Sequence, residues 1–197
     1  MNVRLKRTFS WYSAIVYNDQ FMTNHYTAEV TMLTVTDNND EQNIAYERIK
    51  AWVYNIIADA IFISQDHPKL DAYRKTDAKI ITFPGDPVDQ IVGIMLYLKL
   101  NSIMEDRMTV TDIELWSEAG DDMKYLHSAG ESLGPLTKDG WWNDSRPVFA
   151  DAPRRGKNKV ISLDRMAEWK DYDLAWDDVN EVETKVVFAD FNKNENK

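Results

Sequence analysis

With 197 residues, 44% of them apolar and 28% charged, the chain is long enough for one domain with a substantial hydrophobic core. Its formal net charge of −10 disfavours nucleic acid or an anionic membrane as partner, because either would need a basic face. It contains no cysteine, so disulfides, thiolate nucleophiles and cysteine-based zinc sites are excluded. No apolar run approaches the ~20 residues that span a bilayer. The basic N-terminal stretch lacks the uninterrupted apolar segment of a secretory leader, and a soluble cytoplasmic protein is the expectation.

Residues 3–17 are rich in β-branched and aromatic side chains and run into the turn signal Asn18-Asp19-Gln20. Residues 25–36 alternate. Tyr26, Ala28, Val30, Met32 and Thr34 share one face, and Thr27, Glu29, Thr31, Leu33 and Val35 the other. Together the two segments predict a half-buried hairpin, ended by Asp37-Asn38-Asn39-Asp40. Over 42–62, Ile49, Trp52, Val53, Ile56, Ile57, Ala60 and Ile61 recur at three- and four-residue spacing. That pattern predicts an amphipathic helix lying flat on a sheet. After the polar step Ser64 to Leu70, residues 71–83 read as a loop leading into a short extended piece. A second helix is expected with Asp86 as N-cap and Pro87 in first place. Asp89 would complement the dipole, and the helix would end near Asn101. Residues 108–117 read as a strand whose alternation slips once, with Met123 to His127 as its return partner. The order is strand, strand, helix, helix, strand, strand, an α+β unit.

Composition shifts near Gly130, which divides the chain into a core domain over 1–129 and a Trp-rich extension over 130–197. The extension carries Trp141-Trp142 and the basic cluster 154–159. Acidic residues follow, interleaved with Trp169, Tyr172 and Trp176 over 164–183, then a candidate strand at 185–191. Its aromatics suit packing onto the chain's own core or onto a neighbouring subunit better than an active-site lid.

Four pieces then stand in a recognisable order. They are Asn24-His25-Tyr26-Thr27-Ala28-Glu29-Val30-Thr31, the helix from Ile44 to Ile61, the step Gln65-Asp66-His67-Pro68-Lys69-Leu70, and Pro87-Val88-Asp89-Gln90 ahead of Glu114-Leu115-Trp116-Ser117-Glu118. In this order the chain resembles the 6-pyruvoyltetrahydropterin synthase family, which includes the 6-carboxytetrahydropterin synthases of the queuosine pathway. The resemblance covers roughly residues 3–128. It implies the T-fold, a ββααββ unit with an antiparallel sheet and two helices on one face. Copies of that unit close into a barrel, so a trimeric or hexameric homo-oligomeric ring is expected. It further implies a pocket between subunits for a pterin or purine-like ring, and carbon–oxygen lyase chemistry.

The resemblance assigns Asp66 and His67 the catalytic role, a carboxylate fixing one imidazole nitrogen so that the other shuttles a proton. Residue type alone allows a plainer reading, in which Asp66 caps the turn before Pro68 and His67 covers the helix end. The family's pterin-anchoring glutamate falls at Ser117, with Glu118 one step on, so both are candidate substrate-binding residues. Its three zinc histidines fall at Ser13, Met22 and Asn24. His25 is one residue out of step, and on a strand that offset turns a side chain to the opposite face. A zinc site built from His25, His67 and His127 suits imidazole chemistry but finds no support in their spacing, so no metal site is assigned. Two functions follow. One is a divergent pterin- or purine-binding protein with lyase-type proton shuttling. The other is a non-catalytic T-fold subunit with a structural, binding or regulatory role, favoured by the loss of the metal ligands and of the cysteine base that the resembled family carries near the second strand.

Overall fold

A computed structural model describes residues 3–149 and 168–176 of the chain. The expected strand at 185–191 and the basic cluster at 154–159 lie outside the described residues. The first two strands, β1 (Arg4–Tyr17) and β2 (Gln20–Thr34), form a long antiparallel hairpin in register from Arg4↔Leu33 to Tyr17↔Gln20. Asn18 and Asp19 join them with φ of 48° and 61°, the left-handed pair that a two-residue hairpin turn requires. The tight turn lets pairing begin at once, so β2 starts earlier than its alternation suggested. Tyr26, Ala28, Val30, Met32 and Thr34 are buried, as their shared face predicts.

Helix α1 (Asn39–Ala51) opens on Asn38, whose side chain accepts the Asp40 N–H at 2.9 Å. It then widens into a π-helical segment, Trp52–Ile57, and stops. The expectation of one helix reaching residue 62 is therefore corrected. The wider turn shifts the phase of the apolar stripe, Asp59 takes a φ of 61°, and Ile61 belongs to a strand. The carbonyls freed at this helix end are claimed by other elements. Ser13 Oγ donates to Ile57 O at 2.9 Å, while Lys79 Nζ donates to Asn55 O at 3.3 Å and to Ala58 O.

That strand is β3 (Ile61–Ser64). A single helical turn, α2 (Leu70–Tyr73), leads on to β4 (Ile80–Phe83). Both strands run parallel to their neighbours, β3 against β1 and β4 against β3. The long helix α3 (Asp89–Met104) precedes β5 (Met108–Ser117) and β6 (Tyr125–Ser128), which complete the sheet antiparallel. The strand order is β4-β3-β1-β2-β5-β6. The sheet thus has six strands where four were expected, with a parallel pair added beside β1. The slip in the β5 alternation is a bulge: Thr31 faces Asp112 and Met32 faces Val110, leaving Thr111 over.

Helices α1 and α3 cover one face, burying Ile49, Trp52, Val92, Met95, Leu100 and Ile103 against β1, β2 and β5. Hairpin, two long helices on one face and second hairpin make the α+β T-fold arrangement expected from the sequence. The opposite face is covered only at one side, where Val16, Ile61, Ile63, Leu70 and Ile80 cluster. The rest of that face mixes ion pairs, with Arg4 3.2 Å from Asp112 and Lys6 paired to Glu29, and exposed Tyr12 and Leu126.

Described parts of the extension join the same core through Leu136, Trp141, Trp142, Trp169 and Trp176. Lys99 of α3 anchors the first of them. Fully buried, it donates to the carbonyls of Trp141, Asp144 and Arg146 at 3.2, 2.5 and 2.8 Å. Burial pulls its ammonium down to about 7 against the attraction of Asp144.

His127 of β6 is also buried, edge-on to Tyr97 at 4.8 Å, with Nδ1 3.6 Å from Glu131. Burial lowers its pKa, with Glu131 opposing. Below about pH 6.5 the unfolded chain therefore binds a proton that the folded chain resists. The neutral imidazole's contribution is intact above that pH and is lost as pH falls through the folded value. Thermal melts between about pH 7 and about pH 5 should show a falling midpoint, and His127→Gln should flatten that slope.

Candidate functional site

Where β1 ends and β2 begins, the helix-covered face of the sheet meets the start of α3. A pocket of about 490 Å³ opens there. Ile15, Tyr17 and Met22 form one wall, Pro87 to Gln90 a second, and Ala119, Gly120 and the approach to β6 a third. Such a volume suits a small, flat ligand.

The polar anchor of this pocket is Asp89. Asp86 does not cap α3; its carbonyl accepts the Val88 N–H at 2.8 Å, holding Asp86-Pro87-Val88 as a turn, and the helix starts at Asp89. A carboxylate in the first helical turn is favoured by the helix dipole. Ser117 Oγ lies 2.7 and 2.9 Å from the two Asp89 oxygens and accepts the Gly120 N–H at 3.2 Å. A side chain at position 120 would collide with Asp89 Oδ2, so the turn Glu118–Gly120 closes around the carboxylate only because residue 120 is glycine. Burial raises the Asp89 carboxyl above its ordinary value, and the Ser117 hydrogen bonds oppose that. The site is a largely apolar slot with one fixed acidic group, and Gln90 and Lys124 also line it.

Ser117 does not itself line the pocket; it is buried behind the wall as a partner to Asp89, and Glu118 does not line it either. The exposed Glu118 begins the turn that follows. A second acid at position 117 would set two carboxylates in one half-buried spot, where like charges repel. Helix α3 supplies the one carboxylate at this spot, Asp89. The sequence marks Asp89 only as a complement to the dipole, because nothing along the chain shows that it reaches Ser117.

The three positions on which the resembled family's zinc histidines fall, Ser13, Met22 and Asn24, do not fit a zinc ion here. Ser13 is committed to the Ile57 carbonyl, and Asn24 Oδ1 accepts the Ala119 N–H at 2.9 Å. Met22 offers a thioether at the pocket wall. An alcohol, an amide and a thioether lack the imidazole, thiolate or carboxylate donors that zinc prefers. Among the described residues there is no cluster of three or more His, Cys, Asp or Glu suited to a metal. His25 does lie on the opposite face, 2.7 Å from Ser10 Oγ and 4.6 Å ring-to-ring from Tyr12. The three histidines occupy separate surroundings and do not converge.

Asp66 and His67 sit in the loop after β3, beside the end of β1 and hence at the same end of the sheet as the pocket. Neither lines it. His67 Nδ1 accepts the Lys69 N–H at 3.1 Å, and its Nε2 lies 3.6 Å from Asp19 in the β1–β2 turn. Asp66 is exposed, with its N–H on Ser64 Oγ at 3.3 Å. The carboxylate beside His67 is therefore Asp19, a partner that only the fold supplies.

No family model and no curated protein matches the sequence. Several solved structures are similar in shape. An uncharacterized protein from Wolinella succinogenes is 10% identical with a TM-score of 0.48, over 66% of this chain and 99% of that one. A 6-pyruvoyltetrahydropterin synthase from Plasmodium vivax is 10% identical with a TM-score of 0.43, over 64% and 97%. The Plasmodium falciparum 6-pyruvoyl tetrahydropterin synthase is 15% identical with a TM-score of 0.42, over 64% and 96%. No helix among the described residues is long and apolar enough to cross a membrane.

Proposed function

We propose that this chain binds a flat nitrogen heterocycle of the pterin or purine class, with the Asp89 carboxylate as its anchor. One observation carries the reading. An acid held at both oxygens by Ser117 stands in the wall of a largely apolar pocket of about 490 Å³. A carboxylate so presented accepts two parallel N–H bonds, the pattern offered by an amino group beside a ring N–H. The aromatic walls Tyr17 and Tyr125 suit a planar ring.

The site is completed in this proposal by a neighbouring copy. Val88 and Met123 at the pocket are 41% and 76% exposed, which leaves apolar surface for a second wall. Among the described residues the edge strands β4 and β6 each pair on one side only, which suits pairing with neighbouring copies in a ring.

Binding without turnover is the reading the residues favour, because the Ser13, Met22 and Asn24 positions offer no electrophile to polarise a substrate oxygen. Lyase chemistry is the second reading and rests on His67. With Nδ1 engaged by Lys69, the neutral ring carries its proton on Nε2, toward Asp19, and could pass it to a ligand reaching from a neighbour's pocket.

Thermal melts with pterin, guanine, GTP and 7-deazaguanine test the proposal. Ligand at about 100 times its dissociation constant should add about 2.7 kcal/mol of stability and raise the midpoint by several degrees. Indifference to the whole panel at millimolar concentration would overturn it.

A further inference from the structure

Tyr125 of β6 lines the pocket, and its hydroxyl belongs to a chain of polar groups that anchoring at Asp89 leaves unused. Tyr125 and His127 lie two residues apart, opposite the buried Leu115 and Ile113, so both side chains face the helical layer. Helix α3 comes close to the tyrosine because residue 93 is glycine: a Cβ there would stand 2.8 Å from Tyr125 Cδ1. Held so, the phenol oxygen is 3.5 Å from His127 Nδ1. Glu131 Oε2 lies 3.6 Å from the same nitrogen and accepts the Ser128 N–H at 3.1 Å. His127 is 1% exposed and the Glu131 side chain 55%, so one buried imidazole nitrogen stands between the pocket and solvent. Nε2 has no partner among the described residues. The titratable groups facing the imidazole are Tyr125, Glu131 and, edge-on at 4.8 Å, Tyr97 of α3; Asp112 of β5 is engaged by Ser128 on the other face of the sheet.

We infer that Tyr125 is a second recognition group, donating its O–H to a ring carbonyl or ring nitrogen of the bound heterocycle, and that His127 takes up a proton as it does so. This rests on the heterocycle reading of the pocket. In the free chain the imidazole is neutral, with its proton on Nε2, and Nδ1 accepts the phenol O–H. A ligand acceptor draws that O–H away and leaves Nδ1 without a donor beside a carboxylate. A proton from solvent then binds Nδ1, and the new N–H is shared by the phenol oxygen and Glu131. No covalent bond of the ligand changes; one proton enters with it. Burial lowers the His127 pKa in the free chain, with Glu131 opposing, and the bound acceptor raises it. Protonation therefore favours binding, so affinity increases as pH falls through the histidine range. Asp89 acts with the opposite sign, nearer the carboxylate range.

Two measurements on the full chain test this. In the free chain, the His127 pKa followed by NMR should rise in Tyr125→Phe, which keeps the ring and removes the donor to Nδ1. It should fall in Glu131→Gln, which removes the neighbouring charge. For the complex, pterin is titrated calorimetrically at about pH 6.5 in buffers of different ionisation enthalpy, which counts protons. Uptake of about half a proton or more per pterin is expected, with affinity about threefold higher than at about pH 7.5. Tyr125→Phe should weaken binding about fivefold. His127→Asn keeps an acceptor near Nδ1 but does not titrate, so uptake should vanish; if that variant does not fold, the exposed Glu131→Gln should reduce uptake instead. Pterin binding without proton uptake, uptake unchanged in these variants, or a His127 pKa indifferent to Tyr125→Phe overturns the proposal. Absence of pterin binding alongside the expected His127 shifts overturns the heterocycle reading, and with it the recognition role of Tyr125, while the link from Tyr125 to Glu131 stands.

Discussion

Replacing Arg48 with alanine is expected to destabilise the fold by about 3–5 kcal/mol, because it removes one partner from a buried charged cluster. The side chain is 2% exposed and ties four pieces together: α1, the end of α3 through Ile103 O and Glu105, Leu174 O, and the Trp169 and Trp176 rings. Truncation strands the Glu105 carboxylate and two carbonyls, and it leaves a void between the tryptophans. For a chain of this size each kcal/mol moves the midpoint by about 2–4 °C, so a fall of about 6–20 °C should appear in a thermal melt followed by tryptophan fluorescence. A midpoint within about 2 °C of the unsubstituted protein would show that the 168–176 segment is not held this way in solution.

The second large effect concerns Asp89. Asp89→Asn keeps the size of the side chain but removes its charge and one of its two acceptor atoms. Loss of a charge-assisted hydrogen-bonded pair at about 2–3 kcal/mol corresponds to a roughly 30- to 150-fold weaker affinity for the heterocycle. Ser117→Ala leaves the acid but frees it from its holder, and a smaller loss is expected. The melting midpoint without ligand separates a binding defect from a folding defect. The pH dependence has a definite sign. Burial raises the Asp89 pKa, so affinity for an N–H donor edge should decline as pH falls toward the carboxylate range, sooner than an ordinary aspartate would allow. Equal affinity in Asp89→Asn would remove the carboxylate from the account.

Several of these features were legible in the sequence. The clean alternation over Tyr26 to Thr34 and the turn signal Asn18-Asp19 fixed the first hairpin, and the single slip in residues 108–117 marked the Thr111 bulge. The out-of-step His25 landed on the opposite face, as period two demands. Other features were hidden for physical reasons. Ile57 and Ile61 keep helical spacing, so the pattern ran straight through a helix end created by the π-helical turn and the left-handed Asp59. Strands β3 and β4 are four-residue runs, largely buried on both faces, which carry no alternation to read. Resemblance pointed to Ser117, but the pocket-lining acid is its partner Asp89, 28 positions away, and the two meet only in the fold. The same holds for His67, whose neighbouring carboxylate in sequence is Asp66 and in space is Asp19.

The account stands or falls on heterocycle binding anchored by a carboxylate, without a metal. Isothermal titration of pterin and of guanine into the full chain, with and without EDTA, tests this most directly. The predicted result is saturable binding of at least one of them, one ligand per chain, unchanged by the chelator and lost in Asp89→Asn. Absence of binding by both, or binding that EDTA abolishes, would contradict it.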